Sequence, residues 1–283
     1  MGAGDQGSCK TYAIESPSFE ERTGWNVRVE TGSAKEMLSQ LEKEEADWDV
    51  AFGVSADALE EGKEYWQTGK DAWTGYSAVS FVILYNTNVV TYRELPTGWD
   101  SLLEPRWKGR VAVPDPLKSD MAASVLTEAA KNSEKEEFLD LLAENMQYQM
   151  PETFKEVEQG ISDGRYSIGV TSEEAAKAML AAGQDVDYID PEEGECFFED
   201  GTAIRKRTPN LDASEAFVTY TTCDDTKWLL RTQLLRQPAE DVAAENDRSD
   251  EELKQRYSRQ QEVLNIWKLI MEEKTGPAHE QEQ

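Results

Sequence analysis

The sequence predicts an α/β protein in which strands and helices alternate along nearly the whole chain. Residues 81–85 form an unbroken apolar run of β-branched and aromatic side chains, which is typical of a buried strand. Residues 34–45 instead space Met37, Leu38 and Leu41 at helical intervals. Because the two patterns alternate repeatedly, the sequence favours parallel-rich sheets covered by helices.

The other elements follow from the same two patterns and from the Gly, Pro, Ser and Thr residues that separate them. The predicted strands are residues 26–30, 48–52, 81–85, 110–113, 166–170, 186–189 and 202–205. The predicted helices are residues 34–45, 56–66, an Ala-rich helix that opens at Lys118-Ser119-Asp120, and residues 136–146, 153–161, 173–182, 213–221 and 250–273.

Length and charge limit the functions that the chain can perform. Its 283 residues are enough for two lobes, each with its own core. Asp and Glu total 57 against 29 Lys and Arg, a formal net charge of -28. Such a field repels nucleic acids and anionic membrane surfaces, so we expect no nucleic-acid partner.

Histidine and cysteine usage argues against an enzyme. The only histidine, His279, lies in a polar C-terminal tail, which removes histidine-based nucleophilic and general-base catalysis. Cys9, Cys196 and Cys223 have no CxxC spacing, so no metal site is expected, and pairing of Cys196 with Cys223 stays open. The sequence contains no phosphate-binding GxxxxGK[ST] motif and no GxGxxG motif. We therefore expect neither catalysis nor a bound cofactor.

Small hydroxyl residues stand at three junctions where a predicted helix begins. Ordinary N-capping explains each junction without a ligand. Alternatively, free amides, helix dipole and hydroxyls together bind a polar or anionic ligand beyond the carboxyl ends of the strands. The junctions are Thr31-Gly32-Ser33, Lys118-Ser119-Asp120 and Thr171-Ser172-Glu173.

The order of motifs along the chain resembles a known family. The most specific piece is LPTGWDSLL at residues 95–103, which continues through PRWKGR at 105–110 to PDP at 114–116. GRYSIGV at residues 164–170, PEEG at 191–194 and DG at 200–201 follow in order. From Tyr12 to Met271 the chain is similar to the extracellular solute-binding proteins of ABC importers, in the branch that includes ferric-ion, phosphonate and sugar-phosphate binders.

That resemblance implies a two-lobed type 2 periplasmic-binding-protein fold with a hinge, and a small-molecule ligand trapped in an interlobe cleft. It implies one lobe from residues 1–87 and 204–283 and a second from residues 88–203. It also implies a monomer in the periplasm or outside the cell, which meets the membrane through a partner. That partner is an ABC permease, or a sensor kinase in the alternative.

The resemblance also implies a set of ligand-binding residues. Tyr76 is either a cleft residue or a core aromatic, and Lys118 is either an anion partner or a solvated lysine. The implied residues are Thr31, Gly32, Ser33, Ser55, Tyr76, Ser77, Lys118, Ser119, Asp120, Thr171 and Ser172.

The chain departs from the family pattern in two ways. Relatives begin with an apolar strand, whereas the first eight residues are Gly-rich and polar, so we expect neither the usual first strand nor a signal peptide in this sequence. Ferric-binding relatives use adjacent tyrosines, and no Tyr-Tyr pair occurs here. We therefore expect a phosphorylated, phosphonate or carboxylate ligand, with ferric ion as the alternative.

Overall fold

The computed structural model describes residues 2–3, 15–67, 72–194, 196–234, 236–242 and 249–275. The chain divides into two compact units. Unit 1 comprises Met1–Val79 and Phe198–Ser258, and unit 2 comprises Ser80–Phe197 and Arg259–Gln283. Cys9 and His279 lie outside the described residues.

The described strands are β1 (Gly2–Ala3), β2 (Thr31–Gly32), β3 (Val50–Ser55), β4 (Thr74–Asn86), β5 (Val111–Ala112), β6 (Ile168–Ser172), β7 (Val186–Ile189), β8 (Cys196–Ile204) and β9 (Gln237–Pro238). The described α-helices are α1 (Glu15–Thr23), α2 (Ala34–Glu42), α3 (Ala56–Glu61), α4 (Asp120–Asn132), α5 (Phe138–Asn145), α6 (Phe154–Ser162), α7 (Glu173–Ala181), α8 (Leu211–Thr221), α9 (Asp224–Leu229), α10 (Ala239–Val242) and α11 (Asp250–Thr275). Short 3-10 helices cover Lys63–Tyr65, Tyr92–Glu94, Trp99–Leu103 and Pro105–Trp107, and a π-helical turn covers Leu230–Leu234.

Unit 1 is built around β3, which pairs with β8 in antiparallel register and places Ser55 opposite Asp200. The first part of β4 pairs with β9, also antiparallel. The apolar face of α2 packs on this sheet with Leu59 and Trp66, both fully buried. Burial stabilises unit 1 by about 1.5–3 kcal/mol for each of these large apolar side chains.

Unit 2 is built around β6, which pairs in parallel with β5 and in antiparallel with the second part of β4. Helix α6 packs on β6 through Val157 and Ile161, which are fully buried. Gly169 makes this packing possible, because a Cβ there would lie 2.5 Å from the carbonyl oxygen of Ala112 and 2.8 Å from Val157. The close approach of strand and helix therefore requires a residue without a side chain.

The prediction of parallel-rich sheets is wrong. Among the described strands, β5 with β6 and β1 with β2 are parallel, whereas β3 pairs antiparallel with β8, and β4 pairs antiparallel with β6, β7 and β9. The long strands β4 and β8 each continue from one unit into the other. A strand–helix alternation in the sequence does not reveal the direction in which such connecting strands run, which is why the prediction failed.

The first eight residues contribute one short strand in a separate two-stranded sheet. Gly2 and Ala3 form β1, which pairs in parallel with Thr31 and Gly32 and contacts β3. A two-residue pairing needs only backbone amides and carbonyls, so it does not require the apolar side chains that the sequence lacks there. None of the described helices is long and apolar enough to cross a membrane.

Candidate functional site

Two helices of unit 2 begin after neighbouring strands of its sheet. Because β5 and β6 are adjacent and parallel, their carboxyl ends meet at the same edge. The chain leaves that edge toward α4 after β5, and enters α7 directly after β6. Ser119 and Ser172 are the N-cap residues of the two helices. Two of the three junctions that the sequence singled out therefore follow two adjacent, parallel strands.

Both serine hydroxyls act as helix caps. Ser119 Oγ accepts the backbone amide of Ala122 at 3.1 Å, and Ser172 Oγ accepts that of Ala175 at 3.1 Å. Each cap satisfies one of the first-turn amides, and helix geometry leaves others pointing outward from the N-terminus. The positive ends of the two helix dipoles and these amides attract an anion, whereas the first-turn carboxylates of Asp120, Glu173 and Glu174 oppose it.

Thr171 points away from this edge, into the packing between β6 and α6. Its side chain is fully buried, and its hydroxyl donates to Glu158 Oε1 at 2.7 Å. Burial raises the pKa of the Glu158 carboxyl above its ordinary value, and the hydrogen bond from Thr171 partly opposes that rise. Thr171 therefore holds a partly buried acid in place.

Lys118 and Asp120 flank Ser119 and have partners inside unit 2. The Lys118 ammonium is exposed and forms an ion pair with Glu152. The backbone carbonyl of Asp120 accepts a hydrogen bond from Gln260 Nε2 of α11 at 3.2 Å. Gln260 is buried, so this bond anchors the start of α4. A ligand anion must compete with Glu152 for Lys118.

The third junction, Thr31-Gly32-Ser33, lies in unit 1. Thr31 and Gly32 form β2, and Ser33 is the N-cap of α2. Ser33 Oγ accepts the amide of Glu36 at 3.2 Å, while the Glu36 carboxylate accepts the amide of Ser33 at 3.0 Å. This reciprocal capping box fully explains the Ser–Glu spacing without a ligand.

Ser55 ends β3 and begins α3, where it is buried beside a second acid. Its hydroxyl hydrogen-bonds to the carboxyl of Asp57, and both residues are less than one-tenth exposed. Burial raises the pKa of Asp57, opposed by that hydrogen bond and by a backbone amide of Ala58. The protonated, neutral form of Asp57 is therefore favoured relative to an exposed carboxyl.

Tyr76 and Ser77 are both buried in unit 1. The Tyr76 ring packs on Phe52, with a centroid distance of 4.6 Å, and on Leu230. Ser77 is fully buried and donates both its amide, at 3.1 Å, and its hydroxyl, at 2.8 Å, to Asp200 Oδ1. The other carboxylate oxygen, Asp200 Oδ2, accepts Arg236 Nη2 at 2.7 Å.

Sequence reasoning missed the role of Asp200 and Arg236. Asp200 belongs to the Asp-Gly motif at residues 200–201, but nothing near it in the sequence indicates a partner. Arg236 stands in a neutral segment without a recognisable motif. Asp200 brings Ser55 and Ser77 to one place, since Ser55 lies opposite it on β3 and Ser77 bonds to it directly.

A metal centre finds no support in the described part of the chain. No group of three or more His, Cys, Asp or Glu residues is arranged there to hold a metal ion. Cys196 and Cys223 do not form a disulfide with each other.

Comparisons with known proteins identify the family and the fold. Residues 36–261 match the family described as bacterial extracellular solute-binding protein. The iron uptake protein A1 of Synechocystis is 23% identical over 262 residues, covering 81% of this chain and 69% of that protein.

Two solved structures illustrate the likeness in fold. The ferric binding protein from Campylobacter jejuni has a TM-score of 0.75 at 15% identity, covering 95% of this chain and 98% of that one. The periplasmic binding protein AfuA from Actinobacillus pleuropneumoniae, with fructose-6-phosphate bound, has a TM-score of 0.73 at 15% identity, covering 92% and 95%. The predicted periplasmic-binding-protein fold is confirmed.

Proposed function

Since the chain belongs to the bacterial extracellular solute-binding proteins, we propose that it captures a small organic anion for an ABC importer. The family is one of transport binding proteins and not of enzymes. The expected ligand carries a phosphate, phosphonate or carboxylate group. Such a ligand is bound, delivered to a permease and released chemically unchanged.

The observation that carries the ligand class is the pair of helix N-termini that follow the parallel strands β5 and β6. A single N-terminus is common and proves little, because every helix has one. The two N-termini follow adjacent parallel strands and each has a small capping serine, so we expect them to offer two dipoles and several amide donors to one ligand. A phosphate or carboxylate fits such donors without needing a histidine or a metal.

Ferric ion is the second candidate, because the Synechocystis relative is named an iron uptake protein and the Campylobacter structure a ferric binding protein. Iron(III) prefers hard anionic oxygen ligands such as phenolate. This chain has no adjacent tyrosines, and Tyr76 is packed in a core. The organic anion is therefore the better-supported ligand.

A thermal-shift screen tests the ligand class. The panel contains sugar phosphates, phosphoglycerates, phosphonates, polyamines and ferric citrate. A ligand at 100 to 1,000 times its dissociation constant stabilises the folded chain by about 3–4 kcal/mol. We expect that shift from an anionic organic compound. A shift given by ferric citrate alone would replace the proposed ligand with iron.

A further inference from the structure

We propose that binding of an anion at the N-terminus of α7 is proton-linked through Glu158, so that the chain holds its ligand more tightly at lower pH. This inference rests on the proposed function and concerns the regulation of the same site. All the residues that it involves belong to unit 2. The linkage follows from the place where α6 and β6 hold one carboxyl group.

The Glu158 side chain joins α6 to the carboxyl end of β6. Its Oε1 accepts the hydroxyl of Thr171 at 2.7 Å. Thr171 is fully buried and lies on β6 directly before Ser172, the N-cap of α7. The Glu158 carboxyl is thus one hydrogen bond and one residue away from the start of α7, where the helix dipole and the first-turn amides attract an anion.

Little positive charge compensates the Glu158 carboxyl. Thr171 on β6 supplies a neutral donor, and the exposed Lys155, earlier on α6, attracts the carboxylate weakly. No ion pair to Glu158 forms within the part of the chain that the structure describes. Burial outweighs both attractions and raises the pKa of Glu158 above the ordinary value of 4.5. Glu158 therefore titrates closer to neutral pH than an exposed glutamate does.

The sign of the linkage follows from the charge of the ionised carboxylate. At pH values above the folded pKa of Glu158, the carboxylate repels an anion at α7, whereas at lower pH the neutral acid does not. Two unit charges about 10 Å apart at an effective dielectric constant of ~20 change an affinity roughly tenfold. By reciprocity, a bound anion raises the pKa of Glu158, so that binding takes up protons in this pH range.

Titration calorimetry with fructose 6-phosphate at pH 5, 6, 7 and 8 tests the inference on the wild-type chain and on Glu158→Gln. Between pH 5 and pH 8 the affinity of the wild-type chain should fall about tenfold more than that of the variant. Glutamine keeps an acceptor for Thr171 but cannot ionise. Titration of the phosphate, and of Glu173 and Glu174 in the first turn of α7, is common to both proteins, so the difference between them reports on Glu158.

Thr171→Val should move the linkage in a direction that a purely structural role would not produce. Valine has a similar shape to threonine but lacks the hydroxyl that stabilises the ionised carboxylate. The pKa of Glu158 should therefore rise further, and the fall in affinity should move to higher pH. An unshifted pH profile in a folded Thr171→Val chain would contradict the assignment.

Asp163→Asn is the matched control. It removes one negative charge from the same helix, because Asp163 is the C-cap of α6. The Asp163 side chain is exposed and pairs with Arg165, so its charge is compensated and reached by water. This variant should keep the pH profile of the wild-type chain.

Proton uptake gives a second readout. The heat of binding at pH 6, compared in two buffers with different ionisation enthalpies, should show protons taken up by the wild-type chain and fewer by Glu158→Gln. Equal uptake, or the same pH profile for both proteins, overturns the proton linkage while the binding itself still supports the proposed function. Absence of anion binding at every pH overturns both.

Discussion

The carboxylate of Glu193 accepts the backbone amide of Trp99 at 2.9 Å, across more than ninety positions of sequence. It also accepts the amide of Asp100 at 3.0 Å, and the Trp99 indole donates to the carbonyl of Gly194 at 3.0 Å. Glu193 thus caps the N-terminus of the short 3-10 helix Trp99–Leu103, although it lies in a distant part of the sequence. The two motifs at residues 95–103 and 191–194, which carried the family resemblance, form one clamp within unit 2.

Replacing Glu193 by Ala should destabilise unit 2. Two amides at the start of the 3-10 helix lose a charged acceptor, and charge-assisted hydrogen bonds contribute about 1.5–3 kcal/mol each when buried. Because Glu193 is only partly buried, we expect a total loss of about 2 kcal/mol. Urea unfolding measures it, and an unchanged midpoint would show that the clamp contributes nothing.

Gly98→Ala should destabilise the chain through the same clamp. An added Cβ at Gly98 would lie 1.6 Å from Glu193 Oε2, so the carboxylate must move away from the amides that it caps. Gly98→Ala should therefore lower the free energy of unfolding by less in a chain that already carries Glu193→Ala than in the wild-type chain. A double-mutant cycle measures this coupling, and strictly additive losses would refute the proposed clash.

Ser172→Asp should separate helix capping from ligand binding. Aspartate is as good an N-cap as serine, so the free energy of unfolding should change by less than ~0.5 kcal/mol. Its carboxylate would occupy the N-terminus of α7 and repel an anion, so anion affinity should fall. Ser249→Asp, at the cap of α11, is the matched control and should leave affinity unchanged. Unimpaired anion binding by Ser172→Asp would remove α7 from the site.

Glu158→Gln should stabilise the chain at neutral pH. Burial raises the pKa of Glu158 in the folded state above the ordinary value of 4.5. At pH values between these two pKa values, the Glu158 carboxyl is therefore more protonated in the folded chain than in the unfolded chain. The stability that the protonated acid provides is present at lower pH and is lost as pH rises through the folded pKa. Glutamine cannot ionise and still accepts from Thr171. Urea unfolding at pH 4 and pH 7 should show that Glu158→Gln is more stable than the wild-type chain at pH 7 alone. An equal gain in stability at both pH values would contradict a raised pKa for Glu158.

Salt should stabilise the folded chain. A net charge of -28 repels itself most strongly in the compact state. Raising the ionic strength from 0.1 M to 1 M shortens the screening length from about 10 Å to about 3 Å, which weakens that repulsion. The midpoint of thermal unfolding should rise by several degrees in sodium chloride. A midpoint that falls with salt would mean that attractive ion pairs outweigh the repulsion.

Local structure was largely predictable from the sequence. Ser33, Ser119 and Ser172 cap the helices that their spacing predicts, because capping depends only on residues three positions apart. The strand Val186–Ile189 matches its predicted bounds. Residues 26–30, in contrast, alternate like a strand but form none, since no neighbouring strand pairs with them in the described residues.

The candidate site was only partly predictable, because its decisive contacts join distant residues. Ser77 and Asp200 are separated by 123 positions, and Asp200 and Arg236 by 36. No spacing rule reaches that far, so Ser77 was marked only by the family resemblance, and Arg236 was not marked at all. The antiparallel course of β4 and β8 was hidden for the same reason, since strand direction depends on partners and not on the strand's own residues.

The most direct test compares fructose 6-phosphate and related sugar phosphates with their unphosphorylated sugars and with ferric citrate, by titration calorimetry on the wild-type chain. The account predicts that a phosphorylated or carboxylated compound binds with one site per chain, that its neutral parent binds far more weakly, and that the compound is recovered unchanged. Binding of ferric citrate alone, or consumption of the ligand, would contradict it.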